Sequence, residues 1–95
     1  MHALDALGNP LRRAILQELR AGPRSVGEIA AALPVSRPAV SRHLRVLEDA
    51  GLVENREEGT RNIYSVRMHG FACVREFVDA FWDTALARLE ELARR

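Results

Sequence analysis

The sequence contains no lysine, only one cysteine and no long apolar run, and the last two features each exclude a class of protein. Cys73 alone cannot form an internal disulfide bond or a multi-cysteine zinc site within one chain. No apolar segment approaches the ~20 residues that span a bilayer, so we expect no membrane partner. The N-terminal stretch MHALDALGNP lacks the basic and hydrophobic regions of an export signal, which predicts a cytoplasmic protein.

The length of 95 residues predicts one small globular domain, covering residues 1–95. Its positive charge is unevenly distributed, because residues 10–45 contain seven arginines and two glutamates, whereas residues 46–95 contain seven arginines and ten acids. Arginine suits bidentate contact with phosphates and guanine edges, although a GC-rich genome would also favour arginine over lysine. The clustering indicates a surface for nucleic acid in the first half of the chain.

The first third of the sequence predicts three helices. Leu4 and Leu7 indicate a short first helix, and Asn9 followed by a proline is typical of the cap and first residue of a second. Ser25 and Glu28 form an S-x-x-E capping box that opens a third helix. Further along this third helix we expect two apolar side chains to point inward, namely Ile29 and Leu33.

A fourth helix follows the tight turn PVS and is capped by Ser36. Its apolar stripe consists of Val40, Leu44 and Leu47, and Gly51 suits the left-handed position that commonly ends a helix. After this glycine, LVENR and RNIYSVR alternate like strands around the turn EEGT, which predicts a hairpin. A last helix is expected from Phe71 to the C-terminus. The fold class is therefore mainly α with a β-hairpin wing, a winged helix-turn-helix.

The polar side chains of the fourth helix lie opposite its apolar stripe and close to its N-terminus. In a helix-turn-helix, the second helix enters the major groove and reads bases with its N-terminal residues. Acids are absent from residues 37–47 and return with Glu48 and Asp49. This pattern favours a DNA-binding surface over a solvated face that only keeps the protein soluble.

Four stretches resemble the ArsR-type winged-helix repressors. These are ALGNPLRRAILQEL leading into the second helix, SVGEIAAALPVSRPAVSRHLRVLEDAGLV over the helix-turn-helix, REEGTRNIYSVR at the wing, and FVDAFWDTALARLEEL in the last helix. The last stretch is similar to the C-terminal helix of a non-metal branch, the SdpR-like autorepressors. The resemblance covers nearly the whole chain, and it implies a homodimeric transcriptional regulator that represses by occupying double-stranded operator DNA.

The resemblance places base reading on residues at the start of the fourth helix. Arg37 stands where many relatives have glutamine, which favours guanine over adenine there. His43 lies at the margin of the apolar stripe, where packing or a phosphate contact is expected. In the wing, Glu57 and Glu58 would repel phosphates, and Tyr64 is expected to pack into the domain. The predicted DNA-binding residues are Ser36, Arg37, Pro38, Ser41, Arg42, His43, Arg45, Arg56, Thr60, Arg61 and Asn62.

The last helix, about residues 71–95, carries more apolar side chains than one small domain can bury. A second copy of the chain could cover the excess, together with the first helix. Such a dimer would hold two recognition helices roughly 34 Å apart, to read an inverted repeat. The predicted interface consists of Leu4, Leu7, Phe77, Val78, Phe81, Trp82, Ala85 and Leu89.

No cofactor or metal is expected. Relatives that sense metals use a Cys-x-Cys pair at the third helix, where this chain has Ser25 and Gly27, or histidines of the last helix, which has none after His69. Carboxylates alone are poor ligands for zinc or copper. Cys73 is expected to be a buried or half-buried thiol, and only a partner's copy could pair with it as a redox sensor.

Other functions remain as alternatives from the residues alone. A metal- or thiol-responsive repressor is one, and a winged helix that only contacts proteins is another, although the arginine-rich face lacks the apolar anchors typical of protein docking. Catalysis is not expected. Ser41, His43 and Asp49 lie on one helix and point in different directions, so they cannot align as a triad.

Overall fold

The computed structural model describes residues 2–94 and shows the predicted winged helix-turn-helix. The termini of the predicted domain, Met1 and Arg95, lie outside the described residues. The elements are α1 (Ala3–Ala6), α2 (Pro10–Arg20), β1 (Arg24–Ser25), α3 (Val26–Ala32), α4 (Arg37–Asp49), β2 (Val53–Glu58), β3 (Arg61–Val66), a 3-10 turn (Met68–Phe71) and α5 (Ala72–Ala93).

Side-chain caps fix the starts of α2, α3 and α4, as the sequence predicts. The Asn9 side chain accepts a hydrogen bond from the Leu11 N–H at 2.8 Å, at the start of α2. Ser25 Oγ accepts from the Glu28 N–H at 3.2 Å, while Glu28 Oε1 accepts from the Ser25 N–H at 3.0 Å, which completes the capping box of α3. Ser36 Oγ caps α4. Local hydrogen bonds therefore set where these helices begin.

The sheet has three antiparallel strands in the order β1-β3-β2. The wing hairpin pairs Val53 with Val66 and Arg56 with Ile63, and it turns at Gly59, whose φ of 64° lies in the left-handed region. The strand β1 was not predicted. It has only two residues, pairs Arg24 with Tyr64, and is too short to show an alternating pattern.

The core lies where α2, α3 and α4 meet the base of the wing. Its fully or almost fully buried side chains include the predicted stripe of α4 and are Ala3, Ala6, Ile15, Leu19, Ile29, Val40, Leu44, Leu47, Leu52 and Val53. Leu33 packs against the core as predicted and is half-buried. Its place in the third helix is a wrong prediction, because Leu33 follows α3 in an extended conformation.

The start of the last helix also differs from the prediction. Phe71 ends a 3-10 turn, and α5 begins one residue later at Ala72. From Arg75 to Arg94 every described residue is exposed, and the molecule measures 63 × 25 × 24 Å along its principal axes. The α5 helix therefore extends well beyond the helix-turn-helix. None of the helices within residues 2–94 is both long and apolar enough to cross a membrane.

Candidate nucleic-acid interface

The two sides of α4 differ sharply in burial. Val40, Leu44 and Leu47 have no exposed surface and anchor the helix in the core. The opposite side is exposed and polar, and its residues are Arg37, Pro38, Ser41, Arg42 and Arg45. Because the apolar anchors fix the rotation of the helix about its axis, the donor side chains are held outward.

An open cleft of about 420 Å³ joins the start of α4 to α3 and to the wing. The Arg37 side chain reaches toward α3, since a Cβ added at Gly27 would lie 3.3 Å from its Nη2 atom. The Arg37 guanidinium therefore lies beside the first turn of α3. The cleft is lined by Ser25, Val26, Gly27, Arg37, Pro38, Ser41, Thr60, Arg61 and Asn62. Six of the residues predicted to bind DNA therefore converge at one place.

The remaining predicted residues lie apart from this cleft. Arg42 and Arg45 border a shallow depression farther along α4, and Ser36 caps the helix through its hydroxyl group. Arg56 lines a pocket with Pro23 and Ile63. The structure thus separates Arg56 from the other wing residues that were predicted to bind DNA.

Both wing arginines are paired with carboxylates. Arg56 Nη2 lies 3.0 Å from Glu58 Oε2 on the same strand, and Arg61 Nη2 lies 2.9 Å from Glu28 Oε1 of α3. The second pair joins residues 33 positions apart in the sequence. Glu28 was not predicted to belong to this surface, because its only local signal in the sequence is the capping box.

His43 and Tyr64 lie at the margin of the core. Burial lowers the pKa of the half-buried His43, and the nearby Arg12 and Arg42 lower it further, so the neutral ring is favoured. Burial also raises the pKa of Tyr64, which packs against the core as predicted. The location of His43 fits a packing role better than a charged phosphate contact.

Similarity to known proteins identifies the family of this chain. A family of helix-turn-helix domains matches residues 7–56, more than half of the chain. The HTH-type transcriptional regulator Rv2034 of Mycobacterium tuberculosis is 49% identical over 90 residues, which cover 95% of this chain and 84% of that protein. The chain belongs to the ArsR-type winged helix-turn-helix transcriptional regulators. This confirms the family, and with it the DNA-binding class of function, that the four stretches predicted.

Solved structures of ArsR-type regulators resemble this one over most of its length. A crystal structure described as a possible transcriptional regulator for arsenical resistance has a TM-score of 0.81 and 40% identity, and covers 96% of this chain and 95% of its own. The homodimeric winged helix-turn-helix DNA-binding domain of Mb0332 from Mycobacterium bovis has a TM-score of 0.68 and 36% identity, covering 88% of this chain and 78% of its own. The similarity therefore extends beyond the helix-turn-helix.

In this ArsR-type regulator, α5 displays a broad apolar surface. The rings of Phe77 and Phe81 lie 5.2 Å apart between centroids, and Trp82 is 63% exposed. Leu4 and Leu7, the two predicted interface residues outside α5, are half-buried. The exposed large apolar side chains of α5 are Phe77, Val78, Phe81, Trp82, Leu86, Leu89 and Leu92.

The prediction that Cys73 is buried or half-buried is wrong. Its side chain is exposed, and its Sγ lies 3.9 Å from the carbonyl oxygen of Gly70. Since each residue turns a helix by about 100°, Val74 packs against the core while Cys73 faces outward. Within residues 2–94, no group of three or more histidine, cysteine, aspartate or glutamate side chains is placed to hold a metal ion.

Proposed function

We propose that this regulator is a homodimeric repressor that reads an inverted-repeat operator in double-stranded DNA. The observation that carries the proposal is the exposed, donor-rich side of α4, held outward by a fully buried stripe and adjoining the wing. A helix presented in this way can enter the major groove with its N-terminal residues on the base edges. The regulator and its DNA are placed in the cytoplasm. The proposed function includes no catalysis.

The proposed contacts divide into two kinds. Arg37 and Arg42 read base edges, with guanine the natural partner for arginine, and Pro38 and Ser41 complete the reading surface. Phosphate contacts fix the position of the protein and carry no direct sequence information. They are assigned to Ser36, Arg45, Arg56, Thr60, Arg61 and Asn62.

The proposed dimer forms through the C-terminal segment of about residues 71–95, which contains α5, with α1 at its edge. A surface that exposes two phenylalanines, a tryptophan and several aliphatic side chains is unusual for a small monomer in water. A second copy of α5 would cover it, with Phe77, Phe81 and Trp82 as aromatic anchors. The winged domain and α5 then act as one unit, in the manner of the SdpR-like autorepressors, with no metal or thiol signal required.

The test begins with selection of bound sequences from a random DNA pool. Quantitative gel shifts on the selected duplex should then show that Arg37→Ala or Arg42→Ala costs ~1–3 kcal/mol and relaxes the preference at one base position. Arg20→Ala is the matched control, because Arg20 is exposed at the end of α2, next to Met68 and Phe71 and away from the cleft. A wild-type protein that selects no sequence from the pool would refute the proposal.

A further inference from the structure

One carboxylate oxygen serves two parts of the DNA-facing surface at once. Glu28 Oε1 accepts the Ser25 N–H at 3.0 Å and lies 2.9 Å from Arg61 Nη2. The first contact closes the capping box of α3, and the second connects α3 to the wing. Glu28 therefore has a role in the tertiary structure in addition to its local one.

The pair lies where DNA would approach. Arg61 lines the cleft together with Arg37 and Ser41, and Gly27, the neighbour of Glu28, lines the same cleft. A phosphate that reaches the Arg61 guanidinium would come close to the Glu28 carboxylate, and like charges repel. Hydrogen bonds from Ser25, supported by the charges of Arg61 and Arg24, hold the pKa of Glu28 below its usual value. The carboxylate is therefore ionised at neutral pH.

We propose that Glu28 is a built-in competitor of the DNA backbone. Its carboxylate occupies Arg61 in the free protein, and a phosphodiester group must replace it when the wing binds. The inference rests on the proposed function and names the group that limits the wing contact. Because phosphates carry no direct sequence information, Glu28 lowers affinity for all duplexes alike and leaves base preference unchanged.

The exposure of the pair sets the size of the effect. The side chains of Arg61 and Glu28 are 59% and 48% exposed, so water and salt weaken their attraction. Exposed pairs of this kind change an equilibrium by up to about five-fold, and two subunits acting on one operator would multiply this to at most about 25-fold. Glu28 therefore adjusts affinity without blocking binding.

Glu28→Gln gives a clean test, because glutamine also serves at this position of a capping box and the substitution removes only the charge. Binding is measured by fluorescence anisotropy on the selected operator and on an unrelated duplex of equal length, at low and high salt. Glu28→Gln should bind both duplexes more tightly, by up to about five-fold per subunit. The gain should shrink at high salt, as screening weakens the repulsion.

A double-mutant cycle separates this mechanism from a general effect of removing negative charge. In an Arg61→Ala background, Glu28→Gln should give a clearly smaller gain in affinity, since the carboxylate no longer occupies an arginine and only its direct repulsion of the phosphate remains. Glu57→Gln is the matched control, because Glu57 lies opposite Asn62 in the wing hairpin and is not the carboxylate paired with Arg61. Its effect should persist in the Arg61→Ala background. An equal gain from Glu28→Gln with and without Arg61 would overturn the inference.

Thermal denaturation checks that each variant is folded. If Glu28→Gln does not fold, Glu28→Asp replaces it, because the shorter side chain reaches Arg61 less well and should also tighten binding. A folded variant that binds no more tightly than the wild type refutes the inference alone. A wild type that binds neither duplex refutes the proposed function itself.

Discussion

Replacing Gly70 by alanine should destabilise the protein, because the backbones of two segments touch at this glycine. A Cβ built at Gly70 would overlap the carbonyl oxygen of Gly51 and lie 2.6 Å from its carbonyl carbon. The Arg67 N–H also donates to the Leu52 carbonyl at 2.9 Å, so the same two segments are tied by a hydrogen bond. The obstacle is backbone and not a flexible side chain, so one segment must move.

The size of the effect follows from this overlap. Forcing an extra methyl group into a packed site costs about 1–3 kcal/mol. For a domain of this size each kcal/mol lowers Tm by roughly 4–8 °C, so the expected decrease lies between about 4 and about 24 °C. Circular dichroism during heating measures it, at one fixed protein concentration because dimer formation contributes to Tm.

Gly59→Asn is the matched control for this measurement. Gly59 has a φ of 64° at the tip of the wing, and a Cβ there would meet no atom within 4 Å. Asparagine tolerates the left-handed region, so the expected change is within about 0.5 kcal/mol. If Gly70→Ala melts within error of Gly59→Asn, the contact between the two segments does not constrain the fold and the reasoning is refuted.

The remaining predictions concern the dimer, pH and metals. Trp82→Glu should give a monomer in analytical sedimentation and abolish operator binding, whereas Ala87→Glu, about 140° away on α5, should not; a dimeric Trp82→Glu variant would contradict this. Because the folded pKa of His43 is lowered, its unfolded form binds more protons, so the contribution of His43 to stability should decline as pH falls below 6.5 and become constant below the lowered pKa. Denaturant titrations should show a flatter pH dependence for His43→Gln. Calorimetry with zinc, copper and cadmium should show no tight stoichiometric site, and a submicromolar site that releases DNA would overturn that expectation.

The parts of the fold that could be predicted depend on neighbouring residues. The caps at Asn9, Ser25 and Ser36 each act within three positions of the chain, so their residue types are enough to place them. The buried stripe of α4 follows from helical periodicity in the same way. Both the helix-turn-helix and the exposed polar side of α4 could therefore be predicted from the sequence.

The parts that could not be predicted depend on contacts between distant segments or on a single residue of register. The pair of Glu28 and Arg61 forms only after the wing folds back onto α3. The contact of Gly70 with Gly51 joins the end of α4 to the turn before α5. Cys73 was misplaced because its exposure depends on the position of the first turn of α5, which no local signal marks.

Several arginines among residues 10–45 form hydrogen bonds with backbone carbonyl groups in the structure. Arg12 and Arg13 donate to carbonyl oxygens at the end of α1, at 2.7 and 2.8 Å, and Arg24 donates to the Glu18 carbonyl at 3.0 Å. Such contacts satisfy carbonyl groups that lack partners where helices end.

By contrast, the side chains of Arg42 and Arg45 make no hydrogen bond or ion pair with other residues among 2–94, and both are exposed on α4. The Arg37 guanidinium lies beside Gly27 at the edge of the cleft. Within residues 10–45, the arginines that face the proposed DNA surface are thus concentrated on α4, where a buried stripe fixes their direction. The number of arginines in a segment therefore does not show which of them can reach DNA, because several hold helix ends through their hydrogen bonds.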